Sequence, residues 1–185
     1  MYPRPLIQHC KACGAVVVYR LPDDGDTKER AICTACNTVH YENPLNVVGT
    51  IPVWRQGNDH KVLLCLRNIE PRKGFWTLPA GFMELAETTA QGALRETHEE
   101  AGAQIEMHAL FSLINVARVG QVHLFYRATL TSAVFNPGFE TIEARLFSQA
   151  EIPWDNIAFR TVRETLERYF SDSKSGHFGF HHIDI

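Results

Sequence analysis

The sequence predicts an α/β domain, a mixed sheet sandwiched between helices, behind a smaller amino-terminal module organised by four cysteines. Three observations carry this. Cys10, Cys13, Cys33 and Cys36 form two Cys-x-x-Cys pairs separated by nineteen residues. Runs of strand period lie on both sides of a helix that ends at Gly102. A second helical pattern, through Leu166, Tyr169 and Phe170, follows the last of those runs. The 185 residues, 45% of them hydrophobic, suffice for one ordinary domain and a small second one.

In chain order, residues 15–19 and 29–32 read as two short strands, joined by a polar turn at Asp23, Asp24, Gly25 and Asp26. Four thiolates at this spacing suit tetrahedral Zn²⁺, so the segment reads as a zinc ribbon whose ligands are Cys10, Cys13, Cys33 and Cys36. Disulfides or a redox pair are the competing reading. They are disfavoured because Met1 is followed by prolines and Arg4 and not by the apolar run of a signal peptide, which places the chain in the cytoplasm. The boundary is expected at residues 41–44, where Pro44 interrupts, dividing the chain into a ribbon over 1–44 and a second domain over 45–185. Residues 47–54 and 61–67 read as strands joined by a turn at Gln56, Gly57, Asn58 and Asp59, with Cys65 buried in the second. The helix that follows has Thr88 and Gln91 spaced as a capping box, with Ala93 and Leu94 expected on its core side and Gly102 as its left-handed stop. Residues 109–116 and 121–131 are further strands, with alternation clearest at Val122, Leu124 and Tyr126. The last helix is expected to begin near Thr161, with Glu164 three residues on as a second capping box.

Charge narrows the function. The first 44 residues carry as many cationic as anionic side chains, and the whole chain has a formal net charge of −3, so no footprint for a phosphate backbone is visible and nucleic acid is disfavoured as a partner. No stretch could span a membrane. The ribbon reads as a structural cap, a contact to a second copy of the chain in a homodimer, or a wall of the substrate pocket.

The informative cluster lies between Gly81 and Gly102. Glu96, Glu99 and Glu100 stand at i, i+3 and i+4, so one helix face gathers three like charges, two of them beside the negative end of the helix dipole. A hard divalent cation with oxygen ligands, Mg²⁺ or Mn²⁺, would compensate them and would take phosphate oxygens as further ligands. A solvated acidic helix face is the plain alternative for a bare Glu-x-x-Glu-Glu. The wider spacing argues against it: five residues separate Gly81 from Glu87, seven more lead to Arg95 and Glu96, and Glu99, Glu100 and Gly102 complete the pattern. This pattern, led in by Leu78, Pro79 and Ala80, resembles the signature of the Nudix hydrolases. Two positions depart from it, Thr97 where an aliphatic residue is usual and Ala86 where glycine is common; Thr97 is expected to weaken packing slightly.

The resemblance implies a Nudix α/β/α sandwich behind the ribbon, and water attack on a diphosphate to release a nucleoside monophosphate and a second phosphorylated product. It implies that Glu96 and Glu100 bind metal, that Glu99 binds metal or acts as base, that the Ala80 carbonyl adds an oxygen, and that Arg95 pairs with Glu87. In several members the base comes from a later loop, for which Glu140 and Glu143 are the candidates. The combination of ribbon and box is similar to the shorter ribbon-bearing Nudix group that includes the plant plastid FAD pyrophosphatase, and it lacks the aromatic and proline-rich segment of the NADH pyrophosphatases. FAD or ADP-ribose are the implied substrates, with NADH a further one. An adenine or flavin needs a flat apolar partner and its phosphates a cation, for which Trp76, Phe82 and Arg67 are the candidates, with Phe75, Tyr126, Arg72 and Lys73 nearby. His98 reads as incidental, and His181 and His182 as surface residues. A Nudix-fold binding or regulatory module is the alternative function, disfavoured because every box residue that carries charge is present.

Overall fold

The computed structural model describes residues 6–57 and 59–185; the prolines and Arg4 of the amino-terminal run, and Asn58 of the expected turn, lie outside the described residues. The chain divides into two compact units, the second being Leu45–Ile185. In the first, β1 (Val17–Arg20) and β2 (Arg30–Cys33) pair antiparallel with Val17 opposite Cys33, and β3 (Val39–His40) adds to β2. Its core is small, Cys10, Val17, Ala31 and Cys33 with Ile7, Ala15 and Tyr19 against them, too little apolar surface to hold a fold without another tie.

The second unit is built on a mixed sheet. β4 (Leu45–Gln56) lies parallel to β9 (Gln121–Leu130) from Leu45 opposite Gln121 to Val53 opposite Thr129, and antiparallel to β5 (Asp59–Arg67), with Gln56 opposite Asp59 at the hairpin. β8 (Ile105–Val116) pairs antiparallel with β9, β10 (Thr141–Phe147) antiparallel with β5, and β11 (His181–Asp184) parallel with β8, so the path runs β10-β5-β4-β9-β8-β11. Two short strands branch from it: β6 (Trp76–Thr77) pairs β5, and β7 (Ala80–Phe82) pairs β4.

Alternation along β4 sends its side chains to two different layers. Ile51 and Val53 enter a core with Phe111, Phe125, Leu166, Tyr169 and Phe170, closed by α2 (Arg160–Ser175). Thr50 instead meets α1 (Thr89–Ala101) on the opposite face. The α1 start is as expected, since Thr88 and Gln91 form the reciprocal capping box and Gly102 ends the helix with φ +61°. Thr97 adds polar contacts to the packing of α1 on β4. It is fully buried, and its hydroxyl lies 2.7 Å from both the Ala93 carbonyl and the Thr50 hydroxyl. With its one proton given to the carbonyl, Thr97 must accept from Thr50, so both hydroxyls are satisfied. Ala86 has φ +67°, a conformation that glycine adopts without the Cβ penalty.

Three expectations are corrected. Leu94 is 44% exposed while Ala93 is buried: the buried stripe of α1 runs through Gly92, Ala93, Thr97, Glu100 and Ala101, and the step of about 100° from Ala93 to Leu94 leaves it toward solvent. α2 begins at Arg160, beside the expected Thr161, but without the expected capping box: Phe159 is its N-cap with no side-chain cap, Thr161 is buried inside the first turn, and Glu164 binds Arg160 and Arg168. The second capping box instead joins Ser148 and Glu151, at a 3₁₀ turn. Finally, His181 is not a surface residue: within β11 its Nε2 is 2.9 Å from Asp172 of α2 and its ring lies edge-on to Phe111, whereas His182 beside it is exposed as expected.

The buried hydroxyl pair yields a test. Thr97→Val should lower unfolding free energy by about 1–3 kcal/mol, since it orphans the buried Thr50 hydroxyl, and adding Thr50→Val should recover part of that loss. Chemical denaturation of the two single variants and the double variant reads the coupling; strict additivity would refute it.

Candidate functional site

The site grows from the turn between β7 and α1. Arg95, on the second turn of α1, reaches back across this turn and binds Glu87 with two prongs, Nε to Oε2 at 3.1 Å and Nη2 to Oε1 at 2.8 Å. Its Nη2 also donates to the Phe82 carbonyl at 3.2 Å, and Glu87 Oε1 accepts from the Glu84 amide at 2.6 Å, which fixes the loop to the helix. The Arg95 guanidinium holds Glu87 well below the usual carboxylate range, at about 2. A third contact runs from Nη1 to Glu96 at 2.7 Å and to Glu99 at 3.1 Å. One guanidinium therefore serves three carboxylates.

The α1 carboxylates differ sharply in environment. Glu100 is only 8% exposed and accepts from the Ala80 amide at 3.0 Å. Burial pushes its pKa up to about 8; the charges of Glu96 and Glu140 act in the same direction, and the Ala80 amide and Arg67 oppose them. Glu96 is also raised, by burial first and then by Glu99 and Glu140, although Arg95 counters. Its carboxylate lies so close to the Gly81 backbone that a Cβ there would meet it, so any larger residue at 81 would displace the Glu96 carboxylate from this position. Glu99 turns outward, its side chain 56% exposed. Ala80 lies beside Glu100 through its amide, in register with Gly49.

The sequence left Glu140 and Glu143 level, and the structure separates them. Glu140 sits at the end of the loop before β10, near enough for its charge to act on both Glu96 and Glu100. Glu143 lies within β10, exposed and 3.7 Å from Arg145. Arg67, at the end of β5, is 9% exposed; its Nε donates to the Pro71 carbonyl at 3.0 Å and its guanidinium lies over the Phe159 ring, and its charge favours ionised Glu100. Of the aromatic candidates, Phe82 is 53% exposed. Trp76 is corrected to a core residue: it is 6% exposed, edge-on to Phe147 and covered by Arg145, because β6 carries it under the end of the sheet, where its indole fills the α2-side core. Tyr126 is half-buried and its hydroxyl meets Thr89 at 2.6 Å, while His98 is exposed on α1.

The four cysteines form the other candidate centre. Their sulfurs all lie within 4.8 Å of one another, at 3.4 Å for Cys13 and Cys33, 3.5 Å for Cys13 and Cys36, and 3.7 Å for Cys10 and Cys36. Zn–S bonds of about 2.3 Å place the sulfurs of a tetrahedron about 3.8 Å apart, so the donor set fits zinc, whereas a disulfide requires about 2.05 Å. Backbone amides support the sulfurs: Ala12 donates to Cys10 at 3.4 Å, and Ala35 and Cys36 to Cys33 at 3.4 and 3.3 Å. The hydroxyl and amide of Thr38 pull Cys36 down to about 6, toward the thiolate that binds metal.

Comparison with known proteins finds a family model for each unit. The Nudix N-terminal zinc-ribbon model matches residues 8–42, and the NUDIX domain model matches residues 45–168. The chain is similar to the crystal structure of a NUDIX hydrolase from Nitrosomonas europaea, at 46% identity and a TM-score of 0.91, over 97% of this chain and 99% of that one. It is 27% identical over 164 residues to the NAD-capped RNA hydrolase NudC of Photobacterium profundum, which covers 85% of this chain and 57% of that protein; the chain spans little more than half the length of such curated relatives. The ADP-ribose pyrophosphatase of Methanocaldococcus jannaschii is 46% identical over 44 residues, 24% of this chain and 26% of that protein. With a NUDIX domain recognised over β4 to β10, α1 and the first half of α2, directly after a matching ribbon, the chain belongs to the NUDIX family.

Proposed function

We propose that the chain is a divalent-cation-dependent pyrophosphohydrolase that cleaves the diphosphate of an ADP-linked nucleotide, ADP-ribose or FAD with NADH as a third candidate, to AMP and a second phosphorylated product. The observation that carries this is the buried Glu100 beside half-buried Glu96 and neighbouring Glu140, a surplus of negative charge that two guanidiniums, Arg95 and Arg67, do not cancel. Bound Mg²⁺ or Mn²⁺ would neutralise nonbridging phosphate oxygens and lower the pKa of water. Glu96 and Glu100 would hold it, with Glu99 and the Ala80 carbonyl as further oxygens. Arg95 and Glu87 lock the β7–α1 turn that presents them. Glu140 is the acid–base candidate, since it alone of the late-loop pair acts on the α1 carboxylates. Exposed Phe82 offers a face to the base, and Arg67 a charge behind the phosphates.

The ribbon, read as residues 1–44 ahead of a hydrolase domain over 45–185, is proposed as a zinc-held module, with the cytoplasm as the setting in which its thiols stay reduced. A second copy of the chain remains a proposed contact for it. The name of the NudC relatives points to an ADP-linked diphosphate at an RNA end, and that linkage belongs in the substrate panel.

Four measurements test the reading. With Mg²⁺ or Mn²⁺, Glu96→Gln and Glu100→Gln should each lower kcat on ADP-ribose or FAD by about a hundredfold or more while melting cooperatively; wild-type turnover in both would defeat the assignment. Glu140→Gln should slow turnover far more than Glu143→Gln. In chelator, Glu100 keeps its proton in the fold up to about pH 8 but ionises near its ordinary 4.5 when unfolded, so its contribution to stability is complete below pH 4.5 and is lost as pH rises through about 8. Thermal melts should show that decline in the wild type, its removal in Glu100→Gln, and its reversal by added Mg²⁺. For the ribbon, elemental analysis should find one zinc per chain, and its removal under reducing conditions should disorder the ribbon while the melting of residues 45–185 persists; a ribbon that keeps its chemical shifts without zinc would contradict this.

A further inference from the structure

We infer that Asn68 is a positioning residue for Glu140, an inference that rests on the reading of Glu140 as the acid–base group. Asn68 follows β5 directly and holds two successive carbonyls of the loop that leads into β10. Its backbone amide donates to the Glu140 carbonyl at 2.8 Å, and its side-chain Nδ2 donates to the Phe139 carbonyl at 2.8 Å. The first bond continues the β5–β10 ladder and any residue other than proline could make it. The second requires a side-chain donor of this length at position 68.

The same loop is tied on its other side to the end of α1. The Asn136 amide donates to the Ala101 carbonyl at 3.0 Å and the Gly138 amide to the Glu100 carbonyl at 3.3 Å, using acceptors that a helix end leaves free. Gly138 lies against the Glu99 carbonyl so closely that a Cβ would collide with it. The Thr141 amide closes the turn onto the Gly138 carbonyl at 3.0 Å. Glu140 thus hangs between the helix that carries Glu96 and Glu100 and the strand end that carries Arg67. Apolar burial does little to hold it there, because Phe139 beside it is 81% exposed. Polar anchors set its position, and Asn68 supplies one made by a side chain just beyond β5, directly to the carbonyl that precedes Glu140.

A misplacement of about 1 Å in a catalytic group can cost about a hundredfold in rate, so loss of this anchor should be felt mainly in kcat. The experiment is a double-mutant cycle on ADP-ribose with Mg²⁺, using Asn68→Ala and Asn68→Leu, each in the wild-type and Glu140→Gln backgrounds. Both variants keep the backbone ladder bond, and a thermal melt checks the fold. The expected result is a fall in kcat of about tenfold with KM within about twofold in the wild-type background, and less than about twofold further loss once Glu140 is Gln. In the metal-free protein, amide exchange at residues 136–141 should quicken in Asn68→Ala. An equal loss in both backgrounds, wild-type kcat in both Asn68 variants, or unchanged exchange would overturn the role of Asn68. Glu140→Gln with wild-type turnover would instead overturn the reading of Glu140 itself.

Discussion

A carboxylate removed from water is costly unless charge or hydrogen bonds replace its hydration, and at Glu100 the replacement is incomplete. One amide, from Ala80, donates to it, and the more distant Arg67 favours its ionised form, while Glu96 and Glu140 oppose ionisation. A fold that only needed stability would place an apolar side chain here, in contact with β7 and under the end of α1. Keeping an acid in that position makes sense as a response to a cation, since local violations of packing logic tend to collect where function requires them. The rest of the site follows from the same constraint: Arg95 neutralises the outer carboxylates, and the inner ones are left with negative charge to spare.

The backbone makes that arrangement possible by approaching closely where side chains cannot intervene. Gly81 lets the Glu96 carboxylate lie on β7, Gly49 lets β4 pack against Pro79 and Ala80, and Gly138 lets the late loop lie on the last turn of α1. β4 is the common support. It pairs with β7 on one edge and β9 on the other, and its Thr50 hydroxyl meets Thr97 on the side of α1 turned away from solvent. Helix, turn and loop therefore share a rigid frame, which is what precise placement of charged groups demands.

The amino-terminal unit solves a different problem. Its apolar core is a handful of residues, and its four sulfurs sit at nearly the spacing of a tetrahedral zinc site, with backbone amides aimed at them. Metal coordination can replace burial as the source of stability in a module of this size.

Much of the architecture was legible from residue order because it depends on short-range geometry. A helix places i, i+3 and i+4 together whatever surrounds it, so the carboxylate face, the Thr88–Gln91 capping box and the Gly102 stop could be read directly, as could the cysteine pairs; the reach of Arg95 to Glu87 was legible only through the family resemblance. Contacts between residues distant in the chain could not. That Thr97 would find Thr50, that Trp76 would be sealed into the core while Phe82 stays open, that His181 would dock on Asp172, and that Glu140 and not Glu143 would face the helix all depend on how strands register and layers close. Local pattern carries periodicity and chemistry, but burial and long-range partnership are properties of the packed whole, and they alone decided which of the candidate groups share one site.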